Sequence, residues 1–159
     1  MLKNVNVLDV HLLMVSQFKY RLTKCGELSL GIFCTATPES TLPGETLSTG
    51  KPVETGRKNN ARSVLLGHVV ATKTRDGLAT DASMDFPSDW ETKKSNDDTK
   101  IGHHEEGRTI CVHSLAVLPA FQKSGIGRTL MMAYMQQMNG AGIADRLALV
   151  AHEVGRLLS

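Results

Sequence analysis

Apolar residues along this chain fall into short periodic runs separated by two long stretches that have few of them. Leu8, Leu12, Val15 and Leu22 recur at near-helical spacing, which predicts a helix over residues 8–24 that stops at Gly26. Leu28, Leu30 and Ile32 then alternate with polar or small residues, predicting a strand over 27–34. A second strand is predicted over 63–74 (SVLLGHVVATKT), rich in Val and Leu, with a bulge at Gly67. Residues 109–118 (TICVHSLAVL) read as a third strand whose two faces are both mostly apolar, as in the middle of a sheet, and Pro119 ends it. Ile126, Leu130, Tyr134 and Met138 mark one face of a helix predicted to close at Asn139-Gly140. A last strand is predicted over 146–151 (RLALVA).

A strand, a helix and another strand in this order form a right-handed crossover, which places the last two strands parallel. The earlier strands have no helix between them and are expected to be antiparallel. The fold class predicted is therefore α/β in the α+β sense: a mixed, mostly antiparallel sheet with flanking helices.

The two stretches outside this pattern are 35–62 and 75–108. The first has five apolar residues and carries Pro38, Pro43, Gly44, Gly50, Pro52 and Gly56, so it reads as a mobile loop. The second holds nine acidic and five basic residues and reads as an inserted surface loop with a disorder-like composition. Within it Met84, Phe86 and Trp90 are the residues able to fold back over a site. Its Asp81, Asp85, Asp89, Asp97 and Asp98 would attract a cationic amine, or simply form a solvated charge run.

Composition narrows the classes. With 159 residues, 41% hydrophobic and 21% charged, the chain suits a single domain over 1–159 that carries the two polar insertions. A net charge of +2 lacks the concentrated positive field of a nucleic-acid protein. Cys25, Cys34 and Cys111 are odd in number and form no CxxC pair, which fits a reducing, cytoplasmic setting. No uncharged apolar run approaches the roughly 18 residues of a membrane span. His103, His104, Glu105, Glu106, Cys111 and His113 lack the regular spacing of zinc motifs, so no metal site is expected.

The chemistry concentrates between the third strand and its helix, in Gln122, Lys123, Ser124, Gly125, Ile126, Gly127 and Arg128. Gly125 and Gly127 let a ligand approach the backbone, the first helical turn offers unpaired N–H groups, and the helix dipole favours anions there. Lys123 and Arg128 add positive charge, so a pyrophosphate suits the turn. Neither a P-loop nor a GxGxxG fingerprint is present.

Gln122-x-x-Gly125-x-Gly127 after an apolar strand resembles the Q/RxxGxG/A motif of the GNAT superfamily of acetyl-CoA-dependent N-acetyltransferases. The run from His113 through Leu115, Ala116 and Val117 to Gln122 is similar to the HxLAV segment of arylalkylamine (serotonin) N-acetyltransferases and their fungal polyamine-acetylating relatives. Residues 27–33 and 66–72 look like earlier strands of that family.

The resemblance implies a small-molecule primary amine, arylalkylamine or polyamine, acetylated by direct transfer from acetyl-CoA. It also implies that the backbone at Leu115, Ala116 and Val117 holds the pantetheine arm while 123–128 wrap the pyrophosphate. His113 matches a histidine that deprotonates the amine, a task for which an ordinary imidazole pKa of about 6.5 is suited. Cys111 stands where many members have a second histidine; strict alternation would put Cys111, His113 and Leu115 on one face.

The first residues do not resemble the family's opening strand and helix. Its closing helix, hairpin and general-acid tyrosine have no counterpart, so a domain truncated at both ends is expected. Such a domain would self-associate through an exposed sheet edge. The competing reading is a catalytically weak CoA-binding or interaction remnant.

Overall fold

The computed structural model describes residues 7–92 and 100–150. Its elements are α1 (Val7–Lys24), a 3-10 turn (Gly26–Leu28), β1 (Leu30–Ala36), α2 (Gly44–Thr49), β2 (Val53–Glu54), β3 (Arg62–Thr74), α3 (Asp81–Met84), β4 (Thr109–Val117), a second 3-10 turn (Pro119–Phe121), α4 (Ile126–Ala141) and β5 (Arg146–Leu149). Of the residues on which the expectations for the chain's two ends rest, 1–6 and 151–159 lie outside the described residues, as do Asp97 and Asp98, while 7–17 belong to α1.

The strands form one mixed sheet in the order β1-β3-β4-β5. β1, β3 and β4 are antiparallel, and the crossover through α4 makes β5 parallel to β4. β2 pairs with Arg62 and Ser63, the opening residues of β3, beyond the Gly67 end of the β4 pairing. Between β1 and β3 the register slips: Ile32 faces Gly67 and Phe33 faces Leu65, so Leu66 is the extra residue of a bulge beside Gly67. A Cβ at Gly67 would lie 2.7 Å from the Ala116 carbonyl oxygen, so the close approach of β4 requires glycine there.

α4 covers one face of the sheet. Its Leu130, Tyr134 and Met138 pack with Leu28, Val69, Ala71, Ile110 and Val112, and the Tyr134 hydroxyl donates to the Leu28 carbonyl at 3.0 Å. The core thus forms on the predicted helical face. The helix end is a correction: α4 runs through Asn139 and Gly140 and ends at Gly142, which adopts φ 63 and turns its N–H back to the Asn139 carbonyl. A left-handed cap ends a helix, and of the two glycines only Gly142 takes that conformation.

α1 forms where predicted, but Val15 and Leu22 are 53% and 54% exposed. The stripe that meets the protein is Phe18, Arg21 and Cys25, with Tyr20 beside it. Phe18 reaches His68 edge-on, Arg21 donates to the Met84 carbonyl at 2.9 Å, and the Cys25 thiol donates to the Ala71 carbonyl at 3.5 Å. These contacts, rather than the largest apolar side chains, set the rotation of the helix.

The second polar stretch departs from its composition. Across the described part of 75–108 it is stitched to α1 and β3. Trp90 stands edge-on to the buried Tyr20, the Tyr20 hydroxyl accepts the His103 N–H at 2.8 Å, and the His104 N–H donates to the Lys73 carbonyl. α3 is held by a reciprocal capping box between Thr80 and Ser83. The first stretch likewise includes α2 and β2.

Candidate active site and phosphate-binding turn

β5 pairs with β4 only from Thr109 to Val112, so among the described residues the edge of β4 from His113 to Val117 has no partner on that side. The same strand bulges at His113: Ala71 faces Val112, and Val70 faces Ser114. An extra residue reverses the alternation that follows it. Ser114 therefore joins the face of His68, Val70 and Thr72, while Leu115 stands opposite Val69 on the α4 face. Strict alternation had placed Leu115 with Cys111 and His113; the bulge separates them.

His113 places Nε2 2.8 Å from the Thr72 hydroxyl, and its Nδ1 is buried with no hydrogen-bond partner. Burial, reinforced by the nearby Arg21 guanidinium, pushes the ring pKa down to about 3. The imidazole is therefore neutral at working pH and a weak base, unlike the ring near 6.5 that sequence reasoning assumed. Arg21 is only 4% exposed, and its Nε has no partner.

Cys111 is fully buried beneath α3, with its sulfur 3.6 Å from Ser83 Oγ. Burial raises its thiol pKa, so it is a protonated packing group and does not line an open channel. His68, Thr72, Ser114 and Arg21 were missed by sequence reasoning. The available signal was the run of even positions 68, 70 and 72 facing β4.

The loop after β4 supplies the other half of the site. The Gln122 side chain donates to the Val117 carbonyl at 3.0 Å, and the Ser124 hydroxyl donates to the Phe121 carbonyl, bracing the turn. Lys123 and Gly125 take positive φ, 60° and 87°. The first bond of α4 runs from the Thr129 N–H to the Gly125 carbonyl, so the N–H groups of Ile126, Gly127 and Arg128 point out of the helix start without a backbone acceptor. A Cβ at Gly125 would meet nothing within 4 Å, and one at Gly127 would meet only Val117, at 3.5 Å. Three free donors, a positive helix end and the exposed Lys123 and Arg128 thus surround open space beside the unpaired end of β4. This fits a pyrophosphate, with Leu115, Ala116 and Val117 along the edge leading from it.

Glu27, His103 and Glu105 bring ligand-type atoms within 4.8 Å of one another. The Lys73 N–H donates to His103 Nδ1 at 3.1 Å, so the proton of the neutral ring sits on Nε2, which donates to Glu105 at 3.0 Å. The Lys73 ammonium occupies the other Glu105 oxygen at 3.1 Å. Without a free imidazole lone pair this is a hydrogen-bonded ion cluster rather than a metal site, and Cys111 and His113 are engaged elsewhere.

The sequence over residues 60–156 matches the model of the acetyltransferase (GNAT) family. The chain belongs to the GNAT family. That match spans β3, β4, the phosphate-type turn, α4 and β5, the elements that make the site. No curated protein matches the chain. Among solved structures, the chain is similar to AAC(6')-Iy in complex with the bisubstrate analog CoA-S-monomethyl-acetylneamine, at 14% identity and a TM-score of 0.34. That match covers 58% of this chain and 46% of the other. Among the described residues, no helix of this GNAT domain is long and apolar enough to cross a membrane.

Proposed function

We propose that this GNAT domain is an N-acetyltransferase that moves the acetyl group of acetyl-CoA directly to a small-molecule primary amine, an arylalkylamine or a polyamine, in the cytoplasm. The observation that carries the reading is the turn at 122–128, with its three free N–H groups and left-handed Gly125, set against the unpaired edge of β4 inside the family match. The pyrophosphate binds Ile126, Gly127 and Arg128, with Lys123 supplying charge, and Gln122 and Ser124 keep the turn in shape. The pantetheine arm runs along Leu115, Ala116 and Val117. Backbone N–H groups of that edge stabilise the negative charge that grows on the thioester oxygen during attack.

His113 and Cys111 act in this reading through the shape of β4, since one ring is neutral and enclosed and the other group is a buried thiol. The same enclosure favours a second reading, a domain that binds CoA without turnover. A primary-amine panel assayed for free thiol in the presence of acetyl-CoA separates the two. Amine-dependent thiol release that stops when Gly125 becomes Asp is expected; saturable CoA binding with no release from any amine would support the second reading.

A further inference from the structure

The bulge at His113 has a second effect on the α1 face of the sheet. By turning Ser114 toward β3, it sets the Ser114 hydroxyl 2.9 Å from His68 Nε2. The ring of His68 is held edge-on to Phe18 of α1, with centroids 5.5 Å apart and planes at 89°. His68 also borders a cleft of about 380 Å³ whose walls include Gly67, Ala116, Val117 and Leu118, the end of the same β4 segment that leads to the phosphate turn.

The two histidines of the site differ in one respect that matters for proton transfer. His113 Nδ1 is sealed and unpaired, whereas His68 is half-buried and its Nδ1 is not among the buried, unpartnered atoms of the described residues. Burial lowers the His68 pKa from its ordinary value as well, without the large drop of His113, so the resting ring is neutral and its Nε2 lone pair faces Ser114.

We propose that His68 is the general base of acetyl transfer and that Ser114 relays the proton to it, an inference that rests on the acetyltransferase reading above. The Ser114 hydroxyl donates to Nε2, which puts the proton of the neutral ring on Nδ1. As the ammonium of the substrate gives a proton to Ser114 Oγ, the proton already on that oxygen moves to Nε2, and the imidazolium releases one from Nδ1 to solvent. The neutral amine forms the C–N bond while the C–S bond breaks. Nitrogen loses two protons overall: one leaves through Ser114 and His68, and the other ends on the departing thiolate.

The test uses the full chain and its His68→Gln and Ser114→Ala variants, with a primary alkylamine that the wild type acetylates. At neutral pH both variants are expected to lose about 10²–10⁴-fold in kcat, with acetyl-CoA affinity by calorimetry close to wild type. The deficit is expected to shrink as pH rises toward the amine's own pKa, where the substrate arrives already neutral. Nitrogen-15 NMR of the free wild type should show His68 protonated at Nδ1, with an Nε2 signal that moves in Ser114→Ala. Undiminished kcat in His68→Gln overturns the proposal, as does a deficit that stays constant with pH, which marks a structural role. A folded wild type that binds acetyl-CoA and acetylates no amine overturns the acetyltransferase reading itself, and this inference with it.

Discussion

His113 packs one ring nitrogen against Thr72 and leaves the other without a partner, so its protonation in the fold is suppressed to about pH 3. In the unfolded chain the same ring takes a proton near pH 6.5. A depressed native pKa contributes stability that is complete above about 6.5 and is lost as pH falls toward 3. Between pH 7 and pH 5 this amounts to about 2 kcal/mol. Urea unfolding at the two pH values should therefore show a smaller acid loss in His113→Gln than in wild type, and equal losses would contradict the enclosure of the ring. The sequence made His113 conspicuous by its place in a strand and its likeness to a family motif. It could not show the enclosure of the ring or the nearby charge of Arg21, which lies on α1, distant along the chain.

β1, β3, β4, β5 and both long helices were legible from the sequence, with Leu130, Tyr134 and Met138 of α4 buried at the helical period, whereas β2 falls in a stretch that reads as loop and β3 is buried continuously from Val69 to Thr74. The bulge beside Gly67 was legible to within a residue; illegible were the bulge at His113, the choice of Gly142 as cap, and the turn of α1 that buries Arg21 and exposes Leu22. Each depends on what a neighbouring element presents. Two glycines show the contrast. A Cβ at Gly107 would lie 2.5 Å from the Thr74 carbonyl oxygen and 2.6 Å from its carbon, and backbone cannot yield as a side-chain tip can. Gly107→Ala should destabilise by about 1–3 kcal/mol. Gly140, inside α4 with nothing within 4 Å of a Cβ, should gain about half a kcal/mol as alanine. Thermal unfolding of the two variants checks the pair, and the same sign for both would contradict the packing described.

Across the described residues, α4 and its core hold the phosphate-type turn on one side of β4, while α1 and the described part of 75–108 enclose the other side. The charged stretch that composition read as unstructured supplies Trp90, Ser83 and His103 to that enclosure, because a few buried groups anchor it despite its many charges. At the end of β5 Leu149 and Val150 are more than half exposed among the described residues. The function reading depends on one property of this arrangement, that the open end of α4 beside the unpaired edge of β4 receives acetyl-CoA. Calorimetric titration of acetyl-CoA into the folded chain and into Gly125→Asp, both checked by circular dichroism, measures it directly. Saturable micromolar binding to the wild type is expected and none to the variant, whose side chain would force an L-residue to φ 87° and set a carboxylate against the phosphates. No binding by the folded wild type, or equal binding by both, would contradict it.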